Sequence, residues 1–207
     1  MPTEEVEALL AAAYRAEVVA RGGQTQDWQT LNRRVQQMAK WLTVSPKPGL
    51  LLYGGIGNGK TTLARAVRRT ISKVLTSASD LLANGVWNST AEELRYAEQL
   101  RRSLREPVLV SAFDIVGMIG TESFDKVKRS PFMILDDMGC EAATAKNYGT
   151  EVTPVAEIIC ERYDRMLPTI VTSNLDDDGI LRRYGSRVAD RMGELFDRIA
   201  FDNSSYR

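Results

Sequence analysis

Eight consecutive residues, Gly54-Gly55-Ile56-Gly57-Asn58-Gly59-Lys60-Thr61, satisfy the spacing G-x-x-x-x-G-K-[ST] at every required position. The residue types explain the chemistry. A chain of phosphates is wrapped by backbone N–H groups, and side chains would block that approach. Glycines allow the tight, partly left-handed turns such a wrap needs. A helix opening at Lys60 would add free amides and the positive end of its dipole. Lys60 is expected to reach the β- and γ-phosphates, and Thr61 to ligate Mg²⁺ through its hydroxyl; the binding segment runs from Gly54 to Thr62.

A second group follows the apolar run Phe132–Leu135, which ends in Asp136 and Asp137. A buried strand delivers its C-terminal residues to the ligand edge of an open α/β sheet. Asp136 suits the Mg²⁺ shell, and Asp137 suits orienting or deprotonating an attacking water. The run Thr169-Ile170-Val171-Thr172-Ser173-Asn174 places a polar cluster at another strand end. Asn174 can hydrogen-bond a γ-phosphate or a water without adding charge, or it can cap the Asp-rich turn that follows.

Arginines gather in Leu181–Met192. Arg187 and Arg191 stand four apart and share a helical face. A guanidinium suits charge on a transferring phosphoryl group, in this copy or a neighbouring one. An internal pair with Asp190, Glu194 or Asp197 explains them equally well. Glu151, Glu157 and Glu161 read as a solvated face, and Lys126, Lys128 and Arg129 as a solvated loop that could also touch phosphates.

The elements that must position these residues are legible from periodicity. Val6, Leu9, Leu10, Ala13 and Tyr14 repeat at helical spacing, as do Trp28, Leu31, Val35, Met38 and Leu42. Gly22 and Gly23 separate the two helices, and Pro46 and Pro48 close the region. This pair is either a small module or an elaboration packed on the core. Short apolar runs at Leu50–Tyr53, Pro107–Ala112, Phe132–Leu135, Thr169–Thr172 and Arg198–Phe201 read as strands. Helices are expected from Lys60 to about Ser79, over Thr90–Arg105 with Ser89 or Thr90 as cap, over Pro154–Met166, and over Gly179–Leu195 with a weak point at Gly185. Ala78–Ser89 looks irregular. Strands alternating with helices predict a five-stranded parallel sheet, covered on both faces, with the phosphate-loop strand central.

Composition removes several chemistries. The chain of 207 residues has 27 basic and 27 acidic residues and no histidine. Catalytic triads and metal sites that need histidine are therefore excluded, and a neutral chain is no broad electrostatic glove for nucleic acid. Two cysteines, Cys140 and Cys160, make no disulfide framework. The acidic start lacks the basic opening of a signal peptide, which predicts a cytoplasmic protein.

Taken together, GGIGNGKTTLA, FMILDDMG, RYDRMLPTIVTSNL, RYGSRVADRM and the closing SSYR resemble the DnaC/IstB branch of AAA+ ATPases. That branch contains replicative-helicase loaders and transposition ATPase subunits. The resemblance covers roughly Gly49 to Arg207. It implies a P-loop NTPase of the AAA+ (ASCE) type, a three-layer α/β sandwich over 49–207 without a C-terminal lid domain, preceded by a helical extension over 1–48. It assigns phosphate binding to Lys60, the tandem acidic pair to Asp136 and Asp137, the sensor to Asn174, and a trans-acting arginine to the Gly185–Arg191 segment, with Arg191 favoured over Arg187. It implies ATP and Mg²⁺, self-association, a replicative helicase or a transposase as partner, and single-stranded DNA binding. The polar TSNL strand and the paired carboxylates argue against a small-molecule P-loop kinase.

Overall fold

The computed structural model describes residues 1–22, 28–84, 89–142, 144–147 and 150–202. Its centre is a parallel sheet of five strands: β1 (Gly49–Gly54), β2 (Val108–Ser111), β3 (Met133–Met138), β6 (Thr169–Ser173) and β7 (Phe196–Phe201). They lie in the order β2-β3-β6-β1-β7. The middle strand is thus β6, and the phosphate-loop strand β1 is interior but off-centre. β7 pairs along its whole length with the far side of β1, from Gly49↔Phe196 to Gly54↔Phe201. A small antiparallel hairpin, β4 (Ala145–Asn147) with β5 (Thr150–Val152), stands apart from the sheet.

Strand side chains alternate between faces, so a strand buried on both sides must be apolar throughout. β1 shows this. Leu50 and Leu52 enter one core cluster while Leu51 enters the other. The first cluster is covered by α1 (Thr3–Ala20), α2 (Trp28–Val44) and α3 (Lys60–Asn84), with α4 (Ala91–Ser103) packed on α3. The second is covered by α5 (Ala112–Met118), α7 (Pro154–Asp164), α8 (Asp177–Tyr184) and α9 (Ser186–Leu195), with Phe124 of α6 (Glu122–Lys128). These are the expected three layers.

The N-terminal helices belong to this core. Leu10, Tyr14, Val35 and Met38 are buried together with Leu50, Leu63, Ile134 and Ile170. α3 runs on to Asn84, so residues 78–84 are helical rather than irregular; Ala78 is buried, and the Ser79 hydroxyl turns back to the Leu75 carbonyl. Thr90 caps α4 in a reciprocal box with Glu93. Gly185, at φ 81°, divides the expected single helix into α8 and α9. Gly23, residues 85–88 and the closing SSYR lie outside the described residues. Among the described residues, no helix is long and apolar enough to cross a membrane.

Candidate functional site

Three parallel strands end at one edge of the sheet, and each end carries one piece of the site. β6 lies between β1 and β3. It therefore holds Asn174 between the phosphate loop and the paired carboxylates.

The loop from Gly54 to Gly59 needs three glycines in the left-handed half of backbone space: Gly54 at φ 136°, Gly57 at 80° and Gly59 at 96°. Gly54 is also excluded from bearing a side chain by space, because a Cβ there would lie 2.1 Å from the Phe201 carbonyl oxygen. The same carbonyl accepts a hydrogen bond from the Asn58 side-chain amide at 2.5 Å. Asn58 is 1 % exposed, so this residue fastens the loop to the end of β7. Ile56, at the tip, is exposed. The first intrahelical bond of α3 runs from the Leu63 N–H to the Gly59 carbonyl. The amides of Lys60, Thr61 and Thr62 belong to a helical first turn, where N–H groups have no intrahelical acceptor and suit an anion.

Lys60 is buried, and its ammonium donates to the carbonyls of Gly54 (2.8 Å) and Gly55 (2.6 Å) and to Asn174 Oδ1 (2.9 Å). Burial pulls its pKa below that of an ordinary lysine, while Asp137 and Asp136 partly oppose the shift. Asn174 thus faces the phosphate-loop lysine. The cap of α8 is Asp176, which accepts from the Gly179 N–H at 2.8 Å.

The carboxylates are separated by a bulge. β3 and β6 keep register through Leu135↔Val171, then resume at Met138↔Ser173. One extra residue is accommodated by Asp137, whose φ is 56°. The two acids consequently differ. Asp136 is 7 % exposed, and its Oδ1 accepts from the Thr61 hydroxyl (2.8 Å) and the Thr172 hydroxyl (2.6 Å). Asp137 is exposed, and its N–H donates to Thr172 Oγ1 at 2.9 Å. Thr172 therefore touches both acids. In the sequence Thr172 is one member of the polar cluster that ends this strand, and only Asn174 stands out there as a candidate. Arg21, at the end of α1, donates to Thr62 Oγ1 at 3.4 Å, a contact for which the sequence carries no signal.

Thr61 Oγ1 and Asp136 Oδ1 form a hard-oxygen pair that fits Mg²⁺, an ion usually held by one or two carboxylates together with phosphates and water. Among the described residues no cluster of three or more metal-ligating side chains exists. The donor set thus suits a cation that arrives with phosphate, not a protein cage.

The arginines lie on α9. Arg187 is exposed. Arg191 pairs with Asp164 at 3.2 Å and sits 4.7 Å over the Tyr163 ring. Its partner comes from α7, across the helix interface, and is none of the acids expected from its own segment. The basic residues expected in a solvated loop instead lie on helix α6 and at its C-terminal end, Lys128 is buried, and all three are paired: Lys126 with Glu122, Lys128 with Asp125 and Glu157, and Arg129 with Glu161. Glu157 and Glu161 are therefore ion-pair partners as well as a solvated face; the Glu151 side chain lies outside the described residues.

A parallel sheet of this order, with a phosphate loop after its first strand and a carboxylate pair on the strand two places away, has the AAA+ type of P-loop fold. Solved structures agree. The crystal structure of DnaI matches with a TM-score of 0.55 and 18% identity over 86% of this chain and 87% of that one. The AMPPCP-bound DnaA from Aquifex aeolicus matches at 0.52 and 19% over 83% of this chain, which spans 47% of that one. These likenesses establish the fold expected from the DnaC/IstB-like motifs. No protein-family model and no curated protein matches the chain.

Proposed function

We propose that this chain is a Mg²⁺-dependent AAA+ ATPase that works in DNA replication as a DnaC-type loader of a replicative helicase. The observation that carries the ATPase reading is the convergence of three strand ends: Lys60 on Asn174, and Thr61 on Asp136. The Lys60 ammonium, which donates hydrogen bonds to the Gly54 and Gly55 carbonyls, would turn those N–H groups to phosphate oxygens. Thr61 and Asp136 are the residues that would hold Mg²⁺, and the charge neutralisation of the phosphates is the chemistry that ion would supply there. Asp137, exposed at the bulge, orients the attacking water, and Asn174 bonds the γ-phosphate or that water.

A trans-acting arginine on α9 would complete the site in an oligomer. Arg187 is exposed and so available to such a neighbour, whereas Arg191 must first leave Asp164 and Tyr163. The loader role is supported by the motif resemblance and by the likeness in fold to DnaI along most of both chains. Residues 1–48 choose the partner in this reading, single-stranded DNA is a second ligand, and the protein acts in the cytoplasm.

Two measurements test this. Lys60→Ala should abolish tight ATP binding; ATP bound equally well by that variant sinks the nucleotide site. Capture of partners by the intact protein from its native lysate with ATP should recover a replicative helicase. Recovery of a transposase instead would move the protein to the transposition branch with its ATPase chemistry unchanged.

A further inference from the structure

The turn that follows the paired carboxylates contains a buried acid that the reaction does not use. Glu141 is 4 % exposed. Its Oε2 accepts from the Gly139 N–H at 2.8 Å, and its Oε1 accepts from the Tyr184 hydroxyl. The Arg183 Nε lies 3.7 Å from Oε1, and the same guanidinium donates to the Glu141 carbonyl. Both the side chain and the backbone of Glu141 are thus gripped by the last two residues of α8. A buried carboxylate left without partners would be costly; this one has two hydrogen-bond donors and a cation.

The turn itself has little freedom. Asp137 and Gly139 both have positive φ, at 56° and 103°. The Cys140 N–H donates to the Asp137 carbonyl at 3.1 Å. On the β6 side, the Asp137 N–H is bound by Thr172, and the Met138 carbonyl accepts from the Ser173 hydroxyl at 2.6 Å. A Cβ on Gly139 would meet Leu175 at 2.8 Å. On the other side, Glu141 connects the turn to α8. Beyond α8, Gly185 leads directly into α9 and its Arg187 and Arg191.

We propose that Glu141 is a positioning residue: held by Arg183 and Tyr184, it fixes the turn that presents Asp137, and so ties the placement of that acid to the arginine-bearing helix pair α8–α9. This rests on the ATPase reading above. A carboxylate that orients water is sensitive to displacement, since misplacement by about 1 Å can cost about a hundredfold in rate.

The experiment compares Tyr184→Phe, Glu141→Gln and Glu141→Ala in the full-length protein. Each variant is measured for Mg²⁺-dependent ATP turnover, for affinity toward a fluorescent ATP analogue, and for thermal unfolding. Tyr184→Phe removes one hydroxyl and keeps the ring. Its kcat should fall about tenfold or more, with KM and analogue affinity within about twofold of wild type. Glu141→Ala should lose more, and Glu141→Gln, which can still accept from Tyr184, should recover part of it. Unchanged kcat in both Tyr184→Phe and Glu141→Ala overturns the proposal. So does a loss of kcat that tracks loss of ATP affinity and melting temperature, because a purely structural tie would behave that way. Absence of turnover in the wild-type protein would instead remove the ATPase reading, and this inference with it.

Discussion

Replacing Thr172 by Val removes one oxygen and changes the shape of the side chain little. That hydroxyl is fully buried and serves both acids: it donates to Asp136 Oδ1 at 2.6 Å and accepts from the Asp137 N–H at 2.9 Å. A hydrogen bond to a charged group contributes about 1.5–3 kcal/mol. A buried donor left unsatisfied costs about 1–3 kcal/mol, although Asp137 is exposed and water can take part of that loss. The combined expectation is about 2–4 kcal/mol of lost stability, read by urea unfolding of Thr172→Val against wild type. Turnover should fall as well, because the bulge that separates the acids loses its tie to β6. Thr172→Ser retains the hydroxyl and should keep most of both properties. An unfolding curve for Thr172→Val that overlays the wild type would refute the claim that this hydroxyl organises the two carboxylates.

Asp137→Asn should still bind ATP yet turn over slowly; full turnover in a single-round hydrolysis assay would reject its role in orienting water. Gly54→Ala should destabilise the protein by about 2 kcal/mol or more, since φ is 136° and the new methyl group would meet the Phe201 carbonyl, and normal melting would contradict the tight seating of the loop. The lowered pKa of Lys60 has a definite sign in binding. Its proton is lost at a lower pH than the usual 10.5, whereas bound phosphate favours the charged form. ATP affinity should therefore weaken as pH rises through the alkaline range, with proton uptake on binding; calorimetry in two buffers of different ionisation enthalpy reads this, and no uptake would remove Lys60 from the phosphates.

The legible part of the site was the part written in local sequence. The phosphate loop announces itself through glycine spacing, and the acid pair through its place after an apolar run. What remained hidden depends on distant residues meeting. For Arg191 the sequence leaves a trans-acting role and an internal pair equally open and offers only acids of its own segment as partners, but packing of α9 on α7 brings Asp164 and Tyr163 to it. Residues 78–84 look irregular because their apolar spacing is broken by small and polar residues, yet they continue the long helix α3. The place of β1 beside the centre was also unreadable, because strand order is set by crossovers and not by any strand's own residues. Glu141 carried no signal at all, since nothing in its neighbourhood shows that residues 183 and 184 close over it.

The same dependence decides how the N-terminal helices can be studied. Buried Arg34 of α2 bonds Asp202 at 2.9 Å and lies 4.2 Å over the Phe201 ring. Phe201 in turn supplies the carbonyl that receives Asn58 and confines Gly54. A line of contacts therefore runs from α2 through the end of β7 into the phosphate loop. Deleting residues 1–48 would also strip Leu10, Tyr14, Val35 and Met38 from the core, at about 1.5–3 kcal/mol each. The sum, about 6–12 kcal/mol, is comparable with the entire stability of a typical domain. Loss of a partner by such a truncation would report unfolding and a disturbed loop together. Substitution of exposed α1 residues such as Val19, 74 % accessible, leaves that line intact and isolates what the outer face of the helices recognises.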